Sequence, residues 1–87
     1  MNLTTIIITK NEEQNIEECI KSVSFSKQII VVDNQSIDKT VEIAKSFGAE
    51  IISEEFDNFS KQREAGLKLM KSDYVFYLDA DERVSQE

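Results

Sequence analysis

Short runs of β-branched residues alternate with stretches whose apolar residues recur every three or four positions. Leu3 to Thr9 is the first run; Thr5, Ile6, Ile7, Ile8 and Thr9 are all β-branched, which predicts a strand. Ile16, Cys19, Ile20 and Val23 follow at helical spacing and form one apolar face. Asn11 reads as the cap of this helix, with Gln14 three residues on and Glu12 and Glu13 in the first turn. Gln28 to Val32 is a second strand of the fully buried type. Ser36 or Asp38 then caps a helix whose stripe is Ile37, Val41, Ala44 and Phe47, and Gly48 suits its left-handed end. Ala49 to Ser53 reads as a short third strand, 54–59 as a loop, and Ser60 to about Lys71 as a third helix. In that helix Ala65, Leu69 and Met70 face the core and Gly66 permits close packing. Tyr74 to Leu78 is an unbroken apolar run, expected to be a strand buried on both faces. The order is β-α-β-α-β-α-β, which implies an α/β fold with a parallel sheet and right-handed crossovers.

Three strand ends then converge on one edge: Thr9 to Glu12, Asp33 to Ser36, and Asp79 to Glu82. Ligands of open α/β sheets bind at this carboxyl edge. Asp79 and Asp81 are two apart, so an extended backbone there would point both carboxylates to one side. Paired carboxylates repel and raise each other's pKa. A divalent cation relieves that repulsion, and Mg²⁺ is commonly held by one or two carboxylates plus substrate phosphates. Taken singly, each of these residues has a plainer role: Asn11 and Ser36 as helix caps, Asp33 as a turn former, Arg63 as a solvated charge.

Composition narrows the classes. The 87 residues allow one domain with a modest core. Ten basic against seventeen acidic residues give a net charge of −7, the wrong sign for a nucleic-acid surface. The absence of His excludes His-based metal sites and triads within this chain. With two Gly and no Pro, neither common Gly-rich phosphate loop is present. The single Cys19 excludes an internal disulfide and reads as a small core residue. Met1-Asn2-Leu3-Thr4 lacks the features of a signal peptide, and no apolar run could span a bilayer, so a cytoplasmic location is the expectation.

Three segments in this order resemble the amino-terminal part of a family-two glycosyltransferase of the GT-A fold. They are Ile6-Ile7-Ile8-Thr9-Lys10-Asn11-Glu12-Glu13, Ile30-Val31-Val32-Asp33-Asn34-Gln35-Ser36-Ile37-Asp38-Lys39-Thr40, and Leu78-Asp79-Ala80-Asp81-Glu82-Arg83. Phe59-Ser60-Lys61-Gln62-Arg63-Glu64-Ala65 adds weight. Leu-Asp-Ala-Asp-Glu-Arg is most similar to the lipopolysaccharide-core glucosyltransferase-like branch. The resemblance implies a Rossmann-like sheet of strand order 3-2-1-4, the nucleotide-binding half of the GT-A fold. Residues 1–87 would then be a single, incomplete nucleotide-sugar-binding domain. It implies a uridine-linked sugar donor, a divalent cation (Mg²⁺ or Mn²⁺) and a saccharide or glycolipid acceptor, in cell-envelope polysaccharide or lipopolysaccharide synthesis. The longer protein could be peripheral at the inner membrane. By position, Thr9, Asn11 and Glu12 would line the nucleoside pocket, with Asp33 beside the base or ribose. Arg63 would approach the donor, Asp79 would contact ribose or sugar, and Asp81 with Asp79 would serve the metal. Asn34 stands where many family members have a second Asp that accepts from the uracil N–H, and Glu64 stands where the similar branch often has Asn.

The resemblance places the acceptor-binding half and the catalytic base beyond the part matched here. No catalytic residue is assigned, and the chain alone is expected to be inactive. Two alternatives compete: a haloacid-dehalogenase-like phosphotransferase with Asp79 as nucleophile, and a non-catalytic nucleotide-binding or assembly module. The fourth strand is expected to leave an open edge that invites self-association.

Overall fold

The computed structural model describes residues 2–84. Its elements are β1 (Leu3–Thr9), α1 (Ile16–Ser22), β2 (Gln28–Asp33), α2 (Thr40–Ser46), β3 (Glu50–Ser53), α3 (Phe59–Leu67) and β4 (Tyr74–Asp79). The four strands form one parallel sheet in the order β3-β2-β1-β4, as expected. The register aligns the strand ends: Thr9 is opposite Asp33, Asp33 opposite Ser53, and Ile8 opposite Asp79.

β1 lies in the middle of the sheet, and six of its seven residues are buried. Its side chains alternate between two cores, because successive strand residues face opposite ways. Ile7 joins Val31, Leu78 and the α1 residues Ile16, Cys19 and Ile20 on one face. Ile6 and Ile8 join Ile30 and Val32 beneath α3 on the other. Burial pushes the Cys19 thiol up to about 12, and its Sγ faces the Asp79 carbonyl at 3.7 Å, so it is an inert core residue.

Several local expectations are corrected. Asn11 does not cap α1. Its backbone is left-handed (φ 53), its N–H donates to Ser36 Oγ, and its Oδ1 accepts from the Ile37 N–H. Glu12 and Glu13 precede the helix, whose first-turn acids are Glu17 and Glu18. Neither Ser36 nor Asp38 is the cap of α2, which starts at Thr40; Asp38 accepts from the Thr40 N–H and hydroxyl and from the Glu13 N–H. The later start changes the inward face to Thr40, Ile43 and Ala44, leaving Ile37 93% exposed. The physical reason is shared. Short polar side chains can bond locally or across a gap, and here the β1–α1 and β2–α2 loops lie side by side.

The third helix starts one residue early, because the Asn58 side chain caps it by accepting from the Lys61 N–H. It ends four residues short of Lys71. The Gln28 side chain takes over there, donating to the Leu69 carbonyl and accepting from the Lys71 N–H, and Leu69 is exposed. β4 is not buried on both faces. It is an edge strand with Tyr74 70% and Phe76 37% exposed.

Gly48 has the left-handed backbone expected at the end of α2, at φ +82. Gly66 is what brings α3 onto the sheet: a Cβ there would lie 2.8 Å from Ile6 Cγ2 and 3.1 Å from Val32 Cγ2. Helix propensity alone favours Ala over Gly by about 1 kcal/mol. Overpacking of a tight contact costs roughly 1–3 kcal/mol. Gly66→Ala is therefore expected to destabilise the chain, with α3 displaced. Urea denaturation checks this; a raised midpoint would show that the contact yields.

Candidate functional site

The aligned strand ends open onto a cavity of about 360 Å³, lined by Ile8, Thr9, Lys10, Glu12, Asn34, Phe59, Gln62, Asp79, Ala80 and Asp81. Five of the eight residues anticipated from the sequence are thus brought together: Thr9, Glu12, Asn34, Asp79 and Asp81. Thr9 is 4% exposed, and its Oγ1 has no hydrogen-bond partner. A buried hydroxyl without a partner carries a desolvation cost that a bound group or water would remove. Glu12 is held by its own N–H, which donates to Thr40 Oγ1 at 2.9 Å, and its Oε1 accepts from Asn15 Nδ2 at 3.1 Å.

The other three are placed differently. Asp33 is fully buried and does not line the cavity. Its carboxylate accepts from the Ser36 N–H (2.8 Å), the Ser36 hydroxyl and the Ser53 hydroxyl (3.2 Å). It ties the β2–α2 loop to the end of β3. Asn11 does not line the cavity; it borders a depression of about 150 Å³ with Glu13 and Asp38, and Glu12 lines both. Arg63 is exposed on α3, with its guanidinium 5.4 Å from the centre of the Tyr77 ring.

The two aspartates share the cavity, but the backbone between them does not stay extended. β4 ends at Asp79 and the chain turns through Ala80 and Asp81. Glu82 closes this turn twice. Its N–H donates to the Asp79 carbonyl, and its carboxylate accepts from the Asp79 N–H, both at 2.8 Å. The Ala80 N–H still donates to the Ile8 carbonyl at 3.1 Å, which anchors the turn to β1. Partial burial, then the Glu82 and Asp81 charges, raise the Asp79 pKa; Arg63 works against this and Glu12 adds to it. The wall thus holds more negative charge than it neutralises.

Among the described residues no three His, Cys, Asp or Glu side chains gather as a metal cluster. The donor set suits a hard cation all the same. Two carboxylates face an open cavity, and a small divalent ion commonly takes one or two carboxylates and completes its shell with phosphate oxygens and water.

Sequence reasoning missed Gln62. It is 2% exposed, on the inward side of α3, and its Nε2 donates to the Val32 carbonyl at 2.7 Å and the Thr9 carbonyl at 3.4 Å. It closes the gap where β1 and β2 run out of ladder. Its signal was a polar residue one helical turn before Gly66. Phe59 and Lys10 were missed as well; both line the cavity, and both look like ordinary surface residues in the sequence.

Comparison with known proteins gives a consistent answer. A family model described as glycosyl transferase family 2 matches residues 4–87. A Rickettsia typhi protein described as an uncharacterized glycosyltransferase is 43% identical over 86 residues, covering 98% of this chain and 30% of that protein. The chain thus spans less than a third of that relative. Glucosyl-3-phosphoglycerate synthase of Mycobacterium tuberculosis, solved with Mn²⁺, UDP and glucosyl-3-phosphoglycerate, superimposes with a TM-score of 0.80. It is 24% identical, covering 90% of this chain and 33% of that one. TarS 1–349 of Staphylococcus aureus, solved with UDP, gives a TM-score of 0.80 at 24% identity, covering 100% of this chain and 29% of that one. Likeness at these identities shows the shared fold.

A carboxyl with a raised folded-state pKa costs stability where it is ionised and nothing once it is protonated in both states. Asp79→Asn is therefore expected to raise the melting temperature at pH 7 in chelator-treated buffer. The gain should vanish as the pH falls below the ordinary carboxylate value of about 4. Paired melting curves across this range check it; an unchanged or lowered melting temperature at pH 7 would refute the charge crowding.

Proposed function

The chain belongs to glycosyl transferase family 2, and from that premise we propose that it forms the nucleotide-diphospho-sugar-binding portion of a metal-dependent glycosyltransferase. The observation that carries this reading is the cavity at the strand ends, with Asp79 and Asp81 on one wall and the unpartnered Thr9 hydroxyl in its lining. In this reading Asp81, with Asp79, holds a divalent cation against the donor's diphosphate. Such a cation, when bound, would supply charge neutralisation for the leaving nucleoside diphosphate. Thr9 and Glu12 take the nucleoside, Asn34 lies beside the base, and Lys10 adds a positive charge at the rim. Asp33 acts from behind by fixing the β2–α2 loop, Asn11 fixes that loop from the β1 side, and Arg63 offsets the charge of Asp79. The donor proposed is UDP-linked, as the ligands of both solved relatives suggest. The acceptor proposed is a saccharide or glycolipid of cell-envelope or lipopolysaccharide-core synthesis, on the strength of Leu78-Asp79-Ala80-Asp81-Glu82-Arg83. The proposed location is the cytoplasm, with the longer protein peripheral at the inner membrane. The phosphotransferase alternative with Asp79 as nucleophile is not favoured, given the family match.

Calorimetric titration tests the donor site. UDP-glucose or UDP is expected to bind more tightly with Mn²⁺ or Mg²⁺ than without, and Asp81→Asn is expected to abolish the difference. Equal affinity with and without the ion would refute the metal role. The same mixture with an added saccharide acceptor is expected to form no product, because the acceptor-binding half is proposed to lie outside these 87 residues.

The outer edge of β4 supports a proposal of self-association. That edge has no partner strand among the described residues, and Tyr74 and Phe76 are exposed beside it. Unpaired apolar edges template pairing with another chain. Light scattering at high concentration is expected to give a dimer or larger species. A monomer whose 74–78 amides exchange freely would rule it out.

A further inference from the structure

The cavity continues into a second lobe of about 370 Å³, lined by Asn34, Phe56, Asp57, Asn58, Phe59 and Gln62. Asn34, Phe59 and Gln62 line both lobes, so Phe59 stands at the passage between them. The chemistry of the lobes differs. The first carries Asp79, Asp81 and Lys10; the second has two aromatic side chains, three amides and one carboxylate, Asp57, which is paired with Lys61 at 2.9 Å. Phe59 is 67% exposed, which leaves most of its side chain free to meet a ligand. Asn34 is not free in the same way. Its Oδ1 accepts from the Phe56 N–H at 3.0 Å, and its Nδ2 donates to the Phe56 carbonyl at 3.3 Å. These two bonds fix the amide edgewise against the 54–58 loop. What remains is one lone pair and one N–H. A carboxylate, which only accepts, would favour a base that presents an N–H. An amide offering both a donor and an acceptor makes no such choice.

We propose that Phe59 holds the nucleobase by stacking in this second lobe, and that Asn34 positions the loop instead of reading the base. This rests on the donor-site reading above. It assigns Phe59 as a binding residue and makes the site permissive toward the base, since every base presents a flat π-face to an aromatic ring. Asn34 then acts through Phe56, holding the 54–58 segment so that Phe59, the first residue of α3, stays at the passage.

Calorimetric titration of the purified chain with UDP, CDP and ADP, each with Mn²⁺, tests the proposal. The unaltered chain is expected to bind all three within about tenfold of one another. Phe59→Ala is expected to weaken all three by about tenfold, in line with the worth of base–aromatic stacking, and Phe59→Tyr to restore them. Asn34→Ala is expected to weaken all three by a common factor. Melting curves identify a variant that has lost its fold, and the exposed position of Phe59 makes its substitutions safe in that respect. A preference for UDP beyond tenfold, or loss of UDP binding alone in Asn34→Ala, would overturn this inference while leaving the donor site standing. So would undiminished binding by Phe59→Ala. Failure of the unaltered chain to bind any nucleoside diphosphate would overturn the donor reading and this inference with it.

Discussion

Everything in this fold depends on β1 being the central strand and buried on both faces. A strand in that position cannot use water for any of its polar groups. Its backbone is satisfied by parallel ladders to β2 and β4. Its threonines are satisfied one by one: Thr4 donates to Gln28 Oε1, and the Thr5 hydroxyl pairs with Ser26 Oγ. Thr9, the last residue, is the exception. Its carbonyl accepts from the Asn34 N–H and from Gln62, yet its hydroxyl has no partner. The unmet group lies at the carboxyl edge, where the cavity opens. Ser72 Oγ is likewise buried without a partner, away from the cavity; what sets Thr9 apart is that a group entering the cavity could meet its hydroxyl.

The loops above that edge are held by side chains, and this separates what the sequence could reveal from what it could not. Strand identity was legible because β-branched runs of this length have few other places to go. Ile16, Cys19, Ile20 and Val23 were legible as the buried face of α1 because their period matches the helix. The caps were not legible. Asn11, Ser36, Asp38 and Thr40 all follow the local rules for helix starts, but they bond between two loops that are far apart in sequence. A rule that considers three or four residues cannot see a partner more than twenty positions away. Among the described residues, Asn11 is also one of two non-glycine residues with a left-handed backbone, the other being Gln35. They lie in the two loops that this network joins, so backbone strain and cross-loop bonding occur together.

The strand ends that line the cavity were legible in the sequence, but the surroundings of their acids were not. Asp33 and Asp79 look alike in the sequence: each is an acid that ends an apolar strand. The structure gives them opposite environments. Asp33 is an interior strand's end, enclosed by Ser36 and Ser53, and its charge is met by three donors. Asp79 ends an edge strand that has no outer neighbour among the described residues, and the charges of Glu82 and Asp81 act against its ionised form. Strand order decides between them, and order is a property of the whole sheet. The same holds for β4, whose apolar run reads as doubly buried until its place at the edge is known. Gln62 was overlooked because its value lies in reaching Val32 and Thr9, residues 30 and 53 positions away.

Net charge sets the last constraint on the chemistry. With a formal charge of −7, the chain repels a diphosphate at long range. Near the cavity the basic groups do little to reverse this, since Lys10 is on the rim and Arg63 is drawn over Tyr77. An anionic ligand that approached Asp79 and Asp81 without an accompanying positive charge would meet net repulsion there. Crowding Asp79, Asp81 and Glu82 into one turn would be a pure loss for a site that bound an anion unaided. With a cation it becomes useful, because the repulsion among the carboxylates is what the ion relieves.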